Sequence, residues 1–197
     1  MSVLFPNISA VVLAGGKNSR YGGKDKAFLK IEGEFFIDRI LKVYKSLFDE
    51  IIIITNSADS YKDYSNYKIN SDYFKDIGPL AGLHSAMKTA SNKKFFAISC
   101  DSPFPNKKLI EDIINSRDNY DALIPIYNDR IEPLHAVYST EKLELLEDHI
   151  KNSKKRSIRS FLEKINTKYY QLSEEEVSRN SFLNINSQSD FEKYLIS

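Results

Sequence analysis

Of the 7 glycines in this 197-residue chain, Gly15, Gly16, Gly22 and Gly23 fall within nine consecutive positions. They belong to the string Leu13-Ala14-Gly15-Gly16-Lys17-Asn18-Ser19-Arg20-Tyr21-Gly22-Gly23-Lys24-Asp25-Lys26. Glycine is needed where φ is positive or where a ligand must come close to the backbone. Backbone N–H groups freed by glycine form an anion-binding concavity, and Lys and Arg neutralise the phosphate charge that the amides leave over. The string therefore carries what polyphosphate binding requires: glycines, a hydroxyl, Arg20 and Lys26. It matches neither the GxxxxGK[ST] phosphate loop nor the GxGxxG dinucleotide fingerprint, so neither that kind of ATPase nor a dehydrogenase is indicated.

A second constellation is Cys100-Asp101-Ser102-Pro103-Phe104, which follows the apolar run Phe95–Ser99. Ligands of open α/β sheets bind outside the carboxyl ends of the strands. A carboxylate at that edge can hold Mg²⁺ against phosphate oxygens, because Mg²⁺ usually takes one or two carboxylates plus substrate phosphates and water. An isolated Asp-Ser-Pro would read as a capped turn; its place after a buried strand argues for Asp101 as a metal ligand. A third is Gly78-Pro79-Leu80-Ala81-Gly82, read as a rigid turn opening a helix over 83–90, with amides of Gly78 and Gly82 facing a base or ribose. Asp72, shortly upstream, is placed to accept hydrogen bonds from that base. His84 and His135 sit among apolar neighbours outside the phosphate constellation and read as structural.

These residues need a scaffold that brings them to one edge. Ile8–Leu13, Ile51–Thr55 and Phe95–Ser99 are short apolar runs without polar alternation, the pattern of strands covered on both faces. Apolar residues at three- and four-residue spacing mark helices between and after them, at 36–48, 83–90 and 105–117, with Pro105 suited to a first turn. Alternating strands and helices predict a parallel sheet wrapped by helices, and the fold class is α/β. Ala122–Ile126 and Leu134–Tyr138 are expected as a hairpin or two edge strands around Tyr127–Arg130. Helices are expected at 141–150, 157–164 and 189–196, and a weak strand at Tyr169–Leu172. The basic cluster Lys151, Lys154, Lys155, Arg156 and Arg159 reads as a solvated helix connection.

Composition narrows the class. Charged residues are 28 % and hydrophobic residues 42 %, ordinary globular usage, and no linker or repeat divides the chain, so a single domain over 1–197 is expected. With 28 basic against 27 acidic residues, the net charge of +1 gives no global field for nucleic acid or an anionic membrane. No apolar stretch approaches a membrane span, and a cytoplasmic location is expected. One cysteine excludes an internal disulfide, and with 3 scattered histidines it cannot build a common zinc site.

The string LAGGKNSRYGGKDKAFL resembles the LAGGxSxRMGxDKxLL signature of molybdenum cofactor guanylyltransferases, the MobA-like nucleotidyltransferases. GPLAG, CDSPF, EPLHAVY and FLNINSQSD resemble that family's later motifs in the same order, so the likeness runs from Val11 to about Asp190. It departs at Tyr21, where methionine is usual, and at Asn18 and Ser19. The resemblance implies a three-layer Rossmann-like nucleotidyltransferase domain with a mostly parallel sheet. It implies attack by the terminal phosphate of molybdopterin on the α-phosphate of GTP, yielding the guanine dinucleotide cofactor and pyrophosphate with Mg²⁺ required. Carried over by position, Leu13, Ala14, Gly15 and Gly16 contact the nucleotide through the backbone, Lys26 and Arg20 serve its phosphates, Asp101 holds Mg²⁺, and Asp72 holds the guanosine. Asn184 and Asn186 resemble an NxN motif near the metal and acceptor. Molybdoenzyme-maturation proteins are the further partners it suggests. Two alternatives stay open: another nucleotidyltransferase of this fold, using CTP on molybdopterin or acting on a sugar or alditol phosphate, and a non-catalytic nucleotide-binding regulator. Retention of Asp101 and Lys26 counts against the regulator.

Overall fold

The computed structural model describes residues 4–15, 20–21, 24–116, 119–175, 177, 180–185 and 190. The apolar run Ile8–Leu13 forms β1, buried at every residue, and is followed by the short pairs β2 (Arg20–Tyr21) with β3 (Lys24–Asp25) and β4 (Lys30–Ile31) with β5 (Glu34–Phe35). Helix α1 spans Phe36–Lys45, then β6 (Ile51–Ile54), β7 (Lys68–Asn70), α2 (Pro79–Thr89), β8 (Lys94–Ser99), α3 (Lys107–Asn115), β9 (Ala122–Tyr127), β10 (Arg130–Ile131), β11 (His135–Ser139), α4 (Leu143–Asn152), α5 (Ile158–Leu162) and β12 (Thr167–Gln171).

The main sheet has the order β10-β9-β11-β8-β1-β6-β7, with β12 also paired to β9. Pairings of β1 with β6 and β8, β6 with β7, and β9 with β12 are parallel. Antiparallel pairs join β11 to β8 and β9, and β10 to β9. This is the expected α/β class in three layers. Ala10, Val12, Ile53, Phe96 and Ile98 pack on one face with α1 and α3, through Ile37, Ile40, Tyr44, Ile110 and Ile113. The odd-numbered partners Val11, Leu13, Phe95 and Ala97, with Ile52 and Ile54, face the other way onto α2, α4 and α5. Both faces are covered, which is why these strands carry no polar alternation.

Three expectations are corrected. The segment 78–82 is not a turn ahead of a helix at 83: α2 begins at Pro79, with Gly78 as its N-cap at φ 64° and ψ −149°. Proline at the first helical position loses no hydrogen bond and arrives with its φ already helical, so the helix starts as soon as the glycine has made the corner. Helix α3 starts at Lys107 rather than in the turn of Pro105, because the Asn106 side chain accepts the Leu109 N–H at 3.1 Å and caps it there. Finally, β9 and β11 do pair antiparallel, as the hairpin alternative expects, and what is corrected is the edge alternative for β11. That strand lies between β8 and β9 and is buried throughout, while the short β10 pairs with β9 across the turn at 128–129. Asn128 and Asp129 hold positive φ there, which a tight two-residue turn between antiparallel strands demands. The helix expected at 189–196 falls outside the described residues except for Asp190.

Candidate active site

The carboxyl ends of three adjacent parallel strands set the site. Leu13 stands opposite Ile54 on one side and Ser99 on the other. Past the ladder, Ala14 N–H donates to Ile54 O at 2.8 Å and Cys100 N–H to Leu13 O at 3.0 Å. The residues that leave these strands, Gly15, Asn56 and Asp101, therefore emerge side by side. Over them opens a cavity of about 1070 Å³ whose lining includes Leu13, Ala14, Gly15, Lys26, Asn56, Asp72, Gly78, Gly82 and Asp101.

One wall carries Lys26 and Asp101. Asp25 caps the 3-10 turn Lys26–Phe28, its Oδ1 accepting the Ala27 N–H at 3.0 Å, and this turn delivers Lys26 into the cavity. Lys26 is buried, 3 % exposed, and its Nζ lies 3.7 Å from Asp101 Oδ2. Asp101 is steadied by the chain on either side. Its carbonyl accepts the Ile185 N–H at 2.9 Å, and Ser102 Oγ donates to Asn184 Oδ1 at 2.5 Å. Ile185 is itself buried against Ile31 and Phe36. Arg39 Nε donates to Pro103 O at 3.1 Å while its guanidinium lies over the Phe104 ring and beside Glu32, bracing the same loop.

The rest of the lining includes Asn56, Ser71, Asp72, Lys75 and Asp76. Asp72 is half-buried; its Oδ2 accepts from Asn56 Nδ2 at 2.7 Å and its own N–H donates to Asn56 Oδ1 at 3.1 Å. Asp72 Oδ1 is buried with no hydrogen-bond partner among the described residues. Burial raises the carboxyl above its ordinary pKa, against the lowering effect of the Asn56 hydrogen bond. A Cβ at position 15 would lie 3.1 Å from Asp72 Oδ2 and 3.3 Å from Asn56 Nδ2, so glycine is what lets strand β1 run this close to the pair. An unpaired buried acceptor costs stability unless something donates to it.

Eight of the sequence-derived positions thus share one cavity: Leu13, Ala14, Gly15, Lys26, Asp72, Gly78, Gly82 and Asp101. Asn184 is exposed and reaches the site through Ser102. The backbone of Arg20 pairs with Asp25 in β2, but its side chain, Gly16 and Asn186 lie outside the described residues. His84 is buried with Nε2 3.0 Å from Glu147 Oε1. Burial pushes the His135 pKa down to about 3. Neither histidine lines the cavity. Sequence reasoning missed Asn56 and Arg39. Asn56 was open to the argument applied to Asp101, since it too is a polar residue just past a buried strand. Arg39 sits on an amphipathic helix and carries no local signal. The basic cluster is exposed as expected, but Arg156 also lines a second cavity of about 500 Å³ that shares Asp76, Gly78, Pro79 and Leu134 with the first.

A glycine, a buried lysine and a carboxylate thus meet in one cavity at the carboxyl ends of the strands, where open α/β proteins bind their ligands. The model of the MobA-like NTP transferase domain matches residues 10–169, and the chain belongs to that family. It is similar to a probable molybdenum cofactor guanylyltransferase of Clostridium perfringens, 34 % identical over 93 % of this chain and 94 % of the relative. It is also similar to a molybdenum cofactor guanylyltransferase of Desulfosudis oleivorans, 32 % identical over 94 % and 93 %. Among solved structures, molybdopterin-guanine dinucleotide biosynthesis protein A from Archaeoglobus fulgidus superimposes with a TM-score of 0.77 at 26 % identity, covering 94 % of this chain and 96 % of that one.

Proposed function

We propose that this chain is a molybdenum cofactor guanylyltransferase, transferring GMP from GTP to molybdopterin with release of pyrophosphate. The observation that carries the reading is the division of one cavity between a phosphate wall, Lys26 and Asp101, and a base wall where Asp72 Oδ1 waits for a donor. Guanine offers two adjacent donors, its N1–H and exocyclic amine, which a carboxylate accepts together. Cytosine offers acceptors along most of the same edge. This favours GTP over CTP, in line with the names of the relatives above.

Asp101 suits a divalent cation, in this reading Mg²⁺. Among the described residues no three His, Cys, Asp or Glu groups surround one point, so the remaining ligands would be nucleotide oxygens and water, the usual arrangement for that ion. Bound there, it would offset charge on the phosphate oxygens of the transferring nucleotide. Lys26 and the amide at Gly15 hold the phosphates in place, and Leu13, Ala14 and Gly82 enclose the nucleoside. An acceptor phosphate is already an anionic nucleophile at neutral pH, so positioning and charge neutralisation suffice and no histidine base is needed. The adjoining cavity with Arg156 gives the acceptor an approach beside the nucleotide. The same reading places the protein in the cytoplasm and leaves room for molybdoenzyme-maturation proteins as recipients of the product.

The test is pyrophosphate release with Mg²⁺, comparing GTP, CTP, ATP and UTP with and without molybdopterin. Acceptor-dependent release with GTP alone is expected. Release with CTP would make the protein a cytidylyltransferase, and nucleotide binding without release would make it a regulator.

A further inference from the structure

Lys26 occupies a turn of three residues, too short to hold a buried ammonium in place by itself. The support comes from a segment 35 residues further along the chain. Tyr61, fully buried in the 3-10 segment Ala58–Tyr64, donates its hydroxyl to Asp25 Oδ2 at 2.9 Å. Asp25 uses its other oxygen, Oδ1, to cap the lysine turn at Ala27 N–H. The Tyr61 ring also packs against Phe28, the last residue of that turn, with ring centroids 4.9 Å apart. Both ends of the turn are therefore fastened to one side chain. Tyr61 is in turn carried on the segment that leaves strand β6, where Thr55 Oγ1 accepts the Ser57 N–H at 3.2 Å and Ser57 O accepts the Ser60 N–H at 2.8 Å. Thr55 immediately precedes Asn56, which holds Asp72 on the base wall.

We propose that Tyr61 is a positioning residue for Lys26, holding the lysine turn through Asp25 and tying the phosphate wall to the strand end that carries the base wall. The inference rests on the phosphate role given to Lys26 above. Burial first, then the neighbouring Asp25, keeps the hydroxyl pKa far above the usual tyrosine range, so it stays a donor at every working pH. Without the Tyr61 hydroxyl Asp25 Oδ2 loses this donor, and Asp25 cannot turn toward a different one without releasing Ala27.

The test is Tyr61→Phe, which keeps the ring packing and removes only the hydroxyl, measured beside Lys26→Ala and the double variant in the full chain. GTP affinity with Mg²⁺ is compared with guanosine affinity, the latter from competition, because Lys26 reaches phosphate and not the nucleoside. Tyr61→Phe is expected to weaken GTP binding about tenfold, the worth of a hydrogen bond to a charged group, with guanosine binding changed less than about twofold. In the Lys26→Ala background the further loss should shrink to below about twofold, since two residues acting through one contact are not additive. Asp25→Ala, which removes the acceptor of the Tyr61 hydroxyl, should reproduce the pattern and keeps the test available if Tyr61→Phe folds poorly by thermal unfolding. Normal GTP binding in a folded Tyr61→Phe alongside an impaired Lys26→Ala overturns the positioning role alone. An equal loss for guanosine, or an undiminished loss in the Lys26→Ala background, also overturns it. Normal GTP binding by Lys26→Ala removes the phosphate role of Lys26 and the inference with it.

Discussion

Asp72→Asn separates recognition of the base from stability of the fold. The hydrogen bond from Asn56 Nδ2 to Asp72 Oδ2 at 2.7 Å dictates how an amide would sit in that place. Its carbonyl oxygen must face Asn56, since two NH₂ groups cannot face each other, and its own NH₂ then takes the position of Oδ1. That position is buried and opens toward Gly82, whose Cβ would lie 3.9 Å from Oδ1. Where the native protein offers guanine an acceptor, the variant offers a donor. The loss is one charge-assisted hydrogen bond, about 1.5–3 kcal/mol, together with the cost of opposed donors. A total near 3 kcal/mol corresponds to about a 100-fold weaker binding of GTP. Binding of ATP, which lacks the N1–H donor, should change far less, so the GTP preference should collapse. Stability should move the other way or not at all. Burial raises the Asp72 pKa, so its ionised form is disfavoured in the folded state above the ordinary carboxylate range, and a neutral amide removes that cost. The assays are calorimetric titration with GTP and ATP and thermal unfolding at neutral pH. Unchanged GTP affinity, or equal losses for GTP and ATP, would refute the assignment of Asp72 to the base.

Asp101→Ala should abolish acceptor-dependent pyrophosphate release, by at least about 100-fold, while circular dichroism stays native; full activity would remove Asp101 from the metal role. Lys26→Ala should lower kcat/KM for GTP by roughly 10- to 100-fold, the loss of one charge-assisted phosphate contact, and unchanged kinetics would refute that contact. His135 gives a signature in acid. Its ring is buried between Phe96 and Phe182, both ring nitrogens lack partners among the described residues, and burial pushes its pKa down to about 3. The unfolded chain takes up the proton near the ordinary histidine value and the folded one does not. Stability on this account is therefore full above about pH 6.5 and falls as pH drops, by about 3 kcal/mol at pH 4. Denaturant unfolding from pH 7 to 4 should show a shallower acid loss in His135→Leu than in the wild type; parallel curves would mean that another group carries the proton linkage.

The residues proposed for the chemistry were visible in one dimension because their requirements are local. A glycine cluster beside lysines and an arginine, and an Asp directly after an apolar run, are short strings whose composition already implies phosphate and metal chemistry. The three central strands were equally legible, since burial on both faces demands unbroken apolar runs. The tertiary structure alone decided what those strings meet. Leu13 pairs with both Ile54 and Ser99, and that register is what puts Gly15, Asn56 and Asp101 side by side. Asn56 and Tyr61 owe their places to contacts with Asp72 and Asp25, 16 and 36 residues away, and no periodicity records such distances. The same holds for β11, whose apolar run would suit an edge or an interior equally well. Its interior place depends on which strand pairs with β8, a choice made by packing between layers and not by any residue in the strand. Local strings determined the chemistry on offer, and long-range pairing determined the geometry in which it can act.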